Sequence, residues 1–324
     1  MSVLSRPYFH CEEAAFEHVE SALWPNGPTC PHCGGMDRIG VLKGQLTKAN
    51  QKGDRKVRHG LKKCGDCRKQ FTVRKGTIFE ESHIPMHKWL QAIYLMTSSK
   101  KGISSHQMSR TLEITVKSAW FLTHRIRASM ASGLFDLPPM GGEGVVVEAD
   151  ETYFGKKEVS VAPKSRQGRP YKSKKFATQK LAVVSLVERG GRVRSFHVDR
   201  ATKASVSEIV WHNVSRESTF YTDESRLYGD VRGKFKTSGM VKHSDNEYVR
   251  GDGHTNTVEG FYSIFKRGMK GVYQHCKEKH LHRYLAEYDF RYNNRVRLGV
   301  DDMERANIAL KGVVGKRLTY GSPH

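Results

Sequence analysis

The sequence predicts a protein of α/β class, in which an α/β domain follows a small cysteine-bearing ribbon and a helical segment. Two Cys-x-x-Cys pairs lie within residues 9–79, residues 87–134 have helical periodicity, and β-prone runs that end in acidic residues begin near residue 143. We therefore predict four parts: a leading helix with the ribbon over 9–79, the helical segment over 87–134, the α/β domain over 143–300 and a C-terminal tail over 301–324.

The ribbon follows a short predicted helix over 9–24, which the breaker sequence PNGP ends. Four of the six cysteines form its two Cys-x-x-Cys pairs: Cys30, Cys33, Cys64 and Cys67. Two intervening residues let each loop turn both sulfurs towards one point, so the pairs can hold one structural Zn²⁺ tetrahedrally. A hairpin over 38–60 would fill the gap between the pairs. His32, inside the first pair, is an alternative ligand.

The helical segment resembles a helix-turn-helix. Residues 104–112 would form its first helix and residues 115–128 its second, which in this motif enters the major groove of DNA. Basic side chains on the second helix are the predicted DNA contacts: Lys117, Arg125 and Arg127. The same helix also has an apolar stripe, so a packing layer that never touches DNA remains an alternative.

The α/β domain shows four β-prone runs and three helical ones. We predict strands over 145–153, 181–188, 192–199 and 219–224. The predicted helices have the sequences SVSEIVWHNV, NTVEGFYSIFKRG and KHLHRYLAEYDFRYNNR. The order is three strands, a helix, a strand and two helices.

Acidic residues follow a run of three valines at Asp150 and a second β-prone run at Asp223. A carboxylate on or just beyond a central strand is held rigidly enough to bind Mg²⁺, a cation that prefers oxygen ligands. Glu259, on the helical run that follows, would supply a third carboxylate, and thirty-five residues separate it from Asp223. Asn256 lies one helical turn before Glu259 on the same face and is the alternative third ligand. The sequence thus predicts a metal-binding catalytic site.

The balance of charge points to a polyanionic partner. The 324 residues include 55 Lys and Arg against 33 Asp and Glu, a formal net charge of +22. Such a charge favours nucleic acid as the partner. The N-terminus has no apolar signal region, and an apolar run of about eighteen residues, the length of a membrane span, does not occur. We therefore predict a cytoplasmic protein with no membrane partner.

The D…D-x35-E spacing and the blocks EADETYFG, FYTDES and NTVEGFYSIFKRG resemble the DDE transposases of bacterial insertion sequences, specifically the ISXO-like group with a leading zinc ribbon. The resemblance covers residues 10–300. It implies a ribonuclease-H-like catalytic domain that binds two Mg²⁺ ions, for which Mn²⁺ can substitute. It implies double-stranded DNA partners, namely terminal inverted repeats and target DNA, with self-association on DNA at the nucleoid. It also implies a basic residue one or two helical turns beyond the third acid, which Lys266 supplies.

Further basic residues are predicted to contact DNA phosphates. The stretch 156–180 holds nine Lys or Arg and one acid, and Lys174 and Lys175 lie within it. Arg267, beside Lys266, is the other predicted contact. A solvated loop that contacts nothing is the alternative for 156–180.

Two other functions share part of this pattern. One is a catalytically inactive zinc-ribbon DNA-binding regulator derived from a transposase. The other is a ribonuclease-H-like nuclease that acts on RNA or on Holliday junctions, which would need neither the ribbon nor the helix-turn-helix.

Overall fold

The computed structural model describes residues 2–49, 53–131, 137–155, 180–240, 254–316 and 318. The chain divides into two compact units: Met1–Ala131 with Val300–His324 form the first, and Ser132–Gly299 the second. Lys174 and Lys175 lie outside the described residues, as does nearly all of the basic stretch that contains them. Within the described parts of the chain, no helix is long and apolar enough to cross a membrane.

The first unit begins with helix α1 (Glu12–Leu23), which agrees with the predicted leading helix to within a few residues. Three short antiparallel strands follow in the order β1-β2-β3: β1 (Ile39–Val41), β2 (Lys62–Cys64) and β3 (Gln70–Phe71). An isolated bridge between Leu46 and Val57 lies within the predicted hairpin. This sheet is too short to bury a large core, so its stability needs another source.

Three helices come next in the first unit: α2 (Met86–Ser98), α3 (Ser105–Leu112) and α4 (Val116–Met130). The hydroxyl oxygens of Ser104 and Thr115 accept backbone N–H bonds at the starts of α3 and α4. Between the two helices, Glu113 has a φ of 50° and adopts the left-handed conformation that ends α3. These caps set a tight turn at the place where the sequence predicts a helix-turn-helix.

The second unit contains a mixed sheet of five strands in the order β6-β5-β4-β7-β8. The strands are β4 (Val146–Phe154), β5 (Leu181–Glu188), β6 (Val193–Val198), β7 (Thr219–Thr222) and β8 (Thr237–Met240). Neighbours from β4 to β6 are antiparallel, whereas β7 runs parallel to β4 and β8 parallel to β7. The first four strands agree closely with the prediction, and β8 was not predicted.

Helices cover both faces of this sheet. Helix α5 (Lys203–Asn213) contributes Val206 and Val210 to the core on one face. Helices α6 (Asn256–Gly268) and α7 (Leu281–Asn293) form the core on the other face. Every residue of β5 is buried, as expected for a strand inside a sheet that is covered on both sides.

The C-terminal stretch 301–324, expected to be a tail, begins with helix α8 (Asp302–Lys311). Asp301 caps the helix by accepting the N–H of Glu304 at 2.8 Å. The guanidinium of Arg305 donates to the carbonyl of Thr97 at the end of α2 at 3.0 Å, and α8 packs along α2. The helix therefore belongs to the packed core of the first unit.

Candidate functional site

The four predicted zinc ligands lie together in the ribbon. The Sγ atoms of Cys30 and Cys67 are 3.6 Å apart, as are those of Cys33 and Cys64, and all four sulfurs lie within 4.8 Å of one another. Tetrahedral zinc with Zn–S bonds of about 2.3 Å requires sulfurs about 3.8 Å apart. The four thiols therefore fit one Zn²⁺, and this set does not include His32, which is exposed.

The local backbone explains how the sulfurs converge. In the first pair, Gly34 has a φ of +77°, and its N–H donates to the carbonyl of Cys30 at 2.9 Å. In the second pair, Cys64 ends β2, and Arg68 just beyond Cys67 turns back with a φ of 61°. Each turn folds one Cys-x-x-Cys pair around a single point.

The acids of the second unit meet where β7 ends beside the middle of β4. Strands β4 and β7 are parallel neighbours in which Ala149 pairs with Thr222. The residue that follows each of these two is an acid, so Asp150 and Asp223 lie side by side. Carboxylate oxygens of Asp150, Glu151 and Asp223 all lie within 4.8 Å of one another. We call these three residues the acid cluster.

Hydrogen bonds hold the acid cluster in place. The N–H of Ser225 donates to Asp223 Oδ1 at 3.0 Å, and the Ser225 hydroxyl donates to Glu151 Oε1 at 3.2 Å. The N–H of Glu151 donates to Asp150 Oδ1 at 2.8 Å. Glu151 is not among the ligands predicted from the sequence, and the structure brings its carboxylate as close as those of Asp150 and Asp223.

Crowding of negative charge changes the protonation of the acid cluster. Burial, followed by the charges of Asp223 and Glu151, raises the pKa of Asp150 to about 7. Burial and the charge of Asp223 also raise the pKa of Glu151. A site that holds a proton this tightly is one where a divalent cation can take the proton's place.

The predicted third ligands lie on the first turn of α6, where Asn256 and Glu259 are both exposed. The charge of Glu259 adds a smaller contribution to the raised pKa of Asp150, so the two carboxylates are electrostatically coupled. Thr255 donates its hydroxyl to Glu259 Oε1 at 3.1 Å. Glu259 is not within the 4.8 Å acid cluster, and the choice between Glu259 and Asn256 stays a prediction.

Two predicted basic residues lie near the other end of α6. Lys266 is half-buried, with its Nζ atom 5.9 Å from the centroid of the Tyr262 ring. Arg267 is exposed, and its Nε atom donates to the carbonyl of Ser263. The structure therefore leaves Arg267 accessible to solvent and packs Lys266 beside an aromatic side chain.

Sequence reasoning missed the role of Glu148. This side chain is 0% exposed, and its carboxylate accepts the N–H groups of Thr257 and Val258 at the start of α6. The signal in the sequence was a glutamate two residues before Asp150, which alternation along a strand places on the same face as Asp150. A glutamate buried in a strand between Val147 and Ala149 requires a partner.

One prediction about DNA contacts is corrected by the structure. Arg125 is 4% exposed and Arg127 2% exposed, so neither guanidinium is available to DNA. Arg125 instead donates to the backbone carbonyls of Ile78 and Glu80, both at 2.7 Å. The prediction was wrong because α4 is buried on nearly all sides around these residues, rather than along one stripe. Lys117, near the start of α4, is exposed, and its contact with DNA stays a prediction.

Comparison with known proteins decides the family. Residues 141–293 match the model of an ISXO2-like transposase domain, and residues 10–70 match that of a transposase zinc-ribbon domain. The chain belongs to the ISXO2-like transposases. The matched ranges of this transposase include the four cysteines and the residues Asp150, Asp223 and Glu259.

Similar proteins are distant from this transposase in sequence. An uncharacterized protein in the transposable element ISH50 of Halobacterium salinarum is 27% identical over 279 residues, covering 81% of this chain and 84% of that one. A structure of a pre-cleavage Mos1 transpososome is 10% identical, covers 68% of this chain and 73% of that one, and has a TM-score of 0.26. A chain in a structure of the simian T-cell lymphotropic virus intasome in complex with PP2A regulatory subunit B56 gamma is 14% identical. The match covers 56% of this chain and 63% of that one and has a TM-score of 0.26.

The raised pKa of Asp150 predicts a pH dependence of the metal-free transposase. An acid with a folded pKa of about 7 and an unfolded pKa of about 3.9 binds its proton more tightly in the folded state. Its contribution to the free energy of unfolding is fully present below the unfolded pKa and is lost as the pH rises through the folded pKa. Relative to Asp150→Asn, the wild type without added Mg²⁺ should lose on the order of 5 °C of melting temperature between about pH 5 and about pH 8.

Added Mg²⁺ provides the control for this measurement. At the higher pH, Mg²⁺ should restore the melting temperature of the wild type and leave that of Asp150→Asn unchanged, because the variant lacks a ligand. An identical pH dependence of the two proteins would contradict the prediction.

Proposed function

We propose that this transposase binds the terminal inverted repeats of its element, cleaves DNA strands there and joins the ends to target DNA. The observation that carries the proposal is the convergence of Asp150, Glu151 and Asp223 where β7 ends beside the middle of β4. Three carboxylates that repel one another yet lie within 4.8 Å make a poor surface for DNA alone and a suitable one for divalent cations. We place this activity in the cytoplasm, at the nucleoid, with self-association on DNA.

The acid cluster would hold two Mg²⁺ ions together with the third ligand on α6. When bound, a pair of divalent ions stabilises both the attacking and the leaving oxygen of a phosphodiester displacement. Asp150 and Asp223 would bind the ions from β4 and from the end of β7, and Glu259 or Asn256 would bind them from α6. Lys266 would hold a phosphate oxygen of the DNA. Water would attack the phosphorus at the end of the element and displace the 3′-oxygen, which leaves as a 3′-hydroxyl. That hydroxyl would then attack a phosphorus of the target DNA and displace the target strand's own 3′-oxygen.

We also propose that the second unit has a ribonuclease-H-like fold. The support is its strand order, with an antiparallel β6-β5-β4 sheet continued by the parallel strands β7 and β8, and with helices on both faces. In such an arrangement the central strand β4 presents its acid next to the end of β7, which is where the acid cluster lies.

A cleavage assay tests the proposed function. Purified protein, labelled DNA carrying the ends of the element and Mg²⁺ or Mn²⁺ should give nicked products and then strand-transfer products. Binding without cleavage under either metal would favour the inactive regulator instead. Preferential cleavage of RNA or of Holliday junctions would favour the other nuclease.

DNA binding by the first unit rests on its basic residues. Because Lys117 is exposed on the second position of α4, Lys117→Ala should weaken binding to end DNA and reduce the slope of log affinity against log salt by about 1. Lys311→Ala, at the exposed end of α8, is the matched control and should leave both quantities unchanged. Equal affinities for the wild type and Lys117→Ala would remove Lys117 from the DNA-binding surface.

A further inference from the structure

We infer that Glu148 is a positioning residue that anchors the first turn of α6 to strand β4 and so sets the place of the third metal ligand relative to Asp150. The inference rests on the proposed function, because α6 carries the predicted third ligand. It is carried by the contacts of one fully buried carboxylate.

The carboxylate of Glu148 acts as the N-terminal cap of α6. Its Oε2 atom accepts the N–H of Thr257 at 2.9 Å and that of Val258 at 3.1 Å, and its Oε1 atom accepts the hydroxyl of Thr257 at 2.9 Å. The first N–H groups of a helix have no partner within the helix, and an anion there is also favoured by the helix dipole. Thr255, at the usual capping position, makes no such bond. The helix is therefore capped by a strand more than a hundred residues earlier in the chain.

Arg189 compensates the buried charge of Glu148 and adds a second tie to α6. Its Nε atom donates to Glu148 Oε1 at 2.6 Å, and its Nη2 atom donates to the carbonyl of His254 at 2.8 Å, just before the helix. Its guanidinium lies 5.2 Å from the centroid of the Tyr221 ring on β7. The ion pair of Glu148 and Arg189 thus connects strand β4 and the end of β5 with β7 and with the start of α6.

The anchored turn is the one that presents the third ligand. Glu148 and Asp150 are two residues apart on β4, so their side chains lie on the same face of the sheet. A second attachment follows one turn along α6, where the hydroxyl of Tyr262 donates to the backbone carbonyl of Asp150 at 2.6 Å. Glu259 lies between these two attachments in the sequence. Its distance from Asp150 is therefore fixed from both sides.

Hydrogen exchange tests whether Glu148 holds the first turn of α6, and it does so without measuring activity. In Glu148→Ala, backbone amides of residues 256–259 should exchange faster while the rest of the second unit keeps its protection, because only the cap of α6 is lost. Glu148→Gln retains one acceptor oxygen and should give an intermediate result. The matched control is Glu287→Ala, which removes another fully buried carboxylate that pairs with an arginine, Arg291, on α7.

The same variants separate positioning from general stability in the cleavage assay. Glu148→Ala should lower kcat by about 100-fold and raise the Mg²⁺ concentration needed for half-maximal rate, with DNA affinity unchanged, because a misplacement of about 1 Å at a reacting centre costs this much. Glu148→Gln should recover part of the rate. Glu287→Ala should leave the Mg²⁺ requirement unchanged.

Two results would overturn the inference. One is exchange in Glu148→Ala that is unchanged at residues 256–259, or raised there no more than in Glu287→Ala. The other is a Glu148→Ala protein that cleaves with the kcat and the Mg²⁺ requirement of the wild type. If the wild type itself does not cleave, the proposed function fails, and hydrogen exchange still decides whether Glu148 anchors α6.

Discussion

Asp150→Asn and Asp223→Asn should each abolish strand cleavage, with a loss in kcat on the order of 10³-fold or more. The two carboxylates lie on adjacent strands within the same acid cluster and share whatever cation binds there. Replacing either by an amide removes a charged oxygen ligand while keeping the size of the side chain. Single-turnover cleavage of labelled end DNA in Mg²⁺ measures the loss, and a gel-shift assay should show that DNA binding is retained.

The double variant tests whether the two acids act as a unit. Because both would hold the same pair of ions, Asp150→Asn combined with Asp223→Asn should be little slower than either single variant, rather than showing the product of the two losses. Asp230→Asn is the matched control, since this aspartate is exposed in the same unit and lies 3.9 Å from Lys203. Wild-type cleavage by either cluster variant would remove the acid cluster from the proposed mechanism.

The acid cluster shows which part of a site a sequence can predict. The β-prone runs and the acids on or just after them were visible in the sequence, and they indicated Asp150 and Asp223 as a pair. That β7 lies parallel beside β4 depends on how the sheet pairs across some seventy residues, which local patterns do not contain. The membership of Glu151 in the acid cluster could not be predicted for the same reason, because the strand pairing sets the distance between its carboxylate and that of Asp223.

The errors elsewhere also have physical causes. Helical periodicity predicted α4 correctly but assumed one buried face, whereas tertiary packing surrounds the helix and takes Arg125 inside. The C-terminal helix α8 had a capping aspartate and apolar residues at helical spacing, which went unrecognised in a stretch expected to be a tail. Glu148 was visible as an acid, but its partners lie on a helix more than a hundred residues later in the chain.

Removal of zinc should unfold the ribbon. Its core consists of Cys30, Cys64 and Phe71 with a few half-buried neighbours, and its three strands have only two or three residues each. So small a core cannot offset the loss of chain entropy, whereas zinc binding to cysteine sites contributes roughly 10–16 kcal/mol to folding. Purified protein should contain one zinc per chain, and Cys64→Ser or a zinc chelator should expose residues 29–79 to proteolysis.

Two controls test whether the effect of zinc removal is confined to the ribbon. Cys276→Ser changes a half-buried thiol in the other unit and should affect neither zinc content nor proteolysis. The acid cluster lies in that other unit, so zinc-free protein should still gain melting temperature when Mg²⁺ is added, as the wild type does. A ribbon that stays resistant to protease without zinc would show that the thiols pack as ordinary core residues. Loss of the Mg²⁺ response together with zinc would instead show that the two units fold as one.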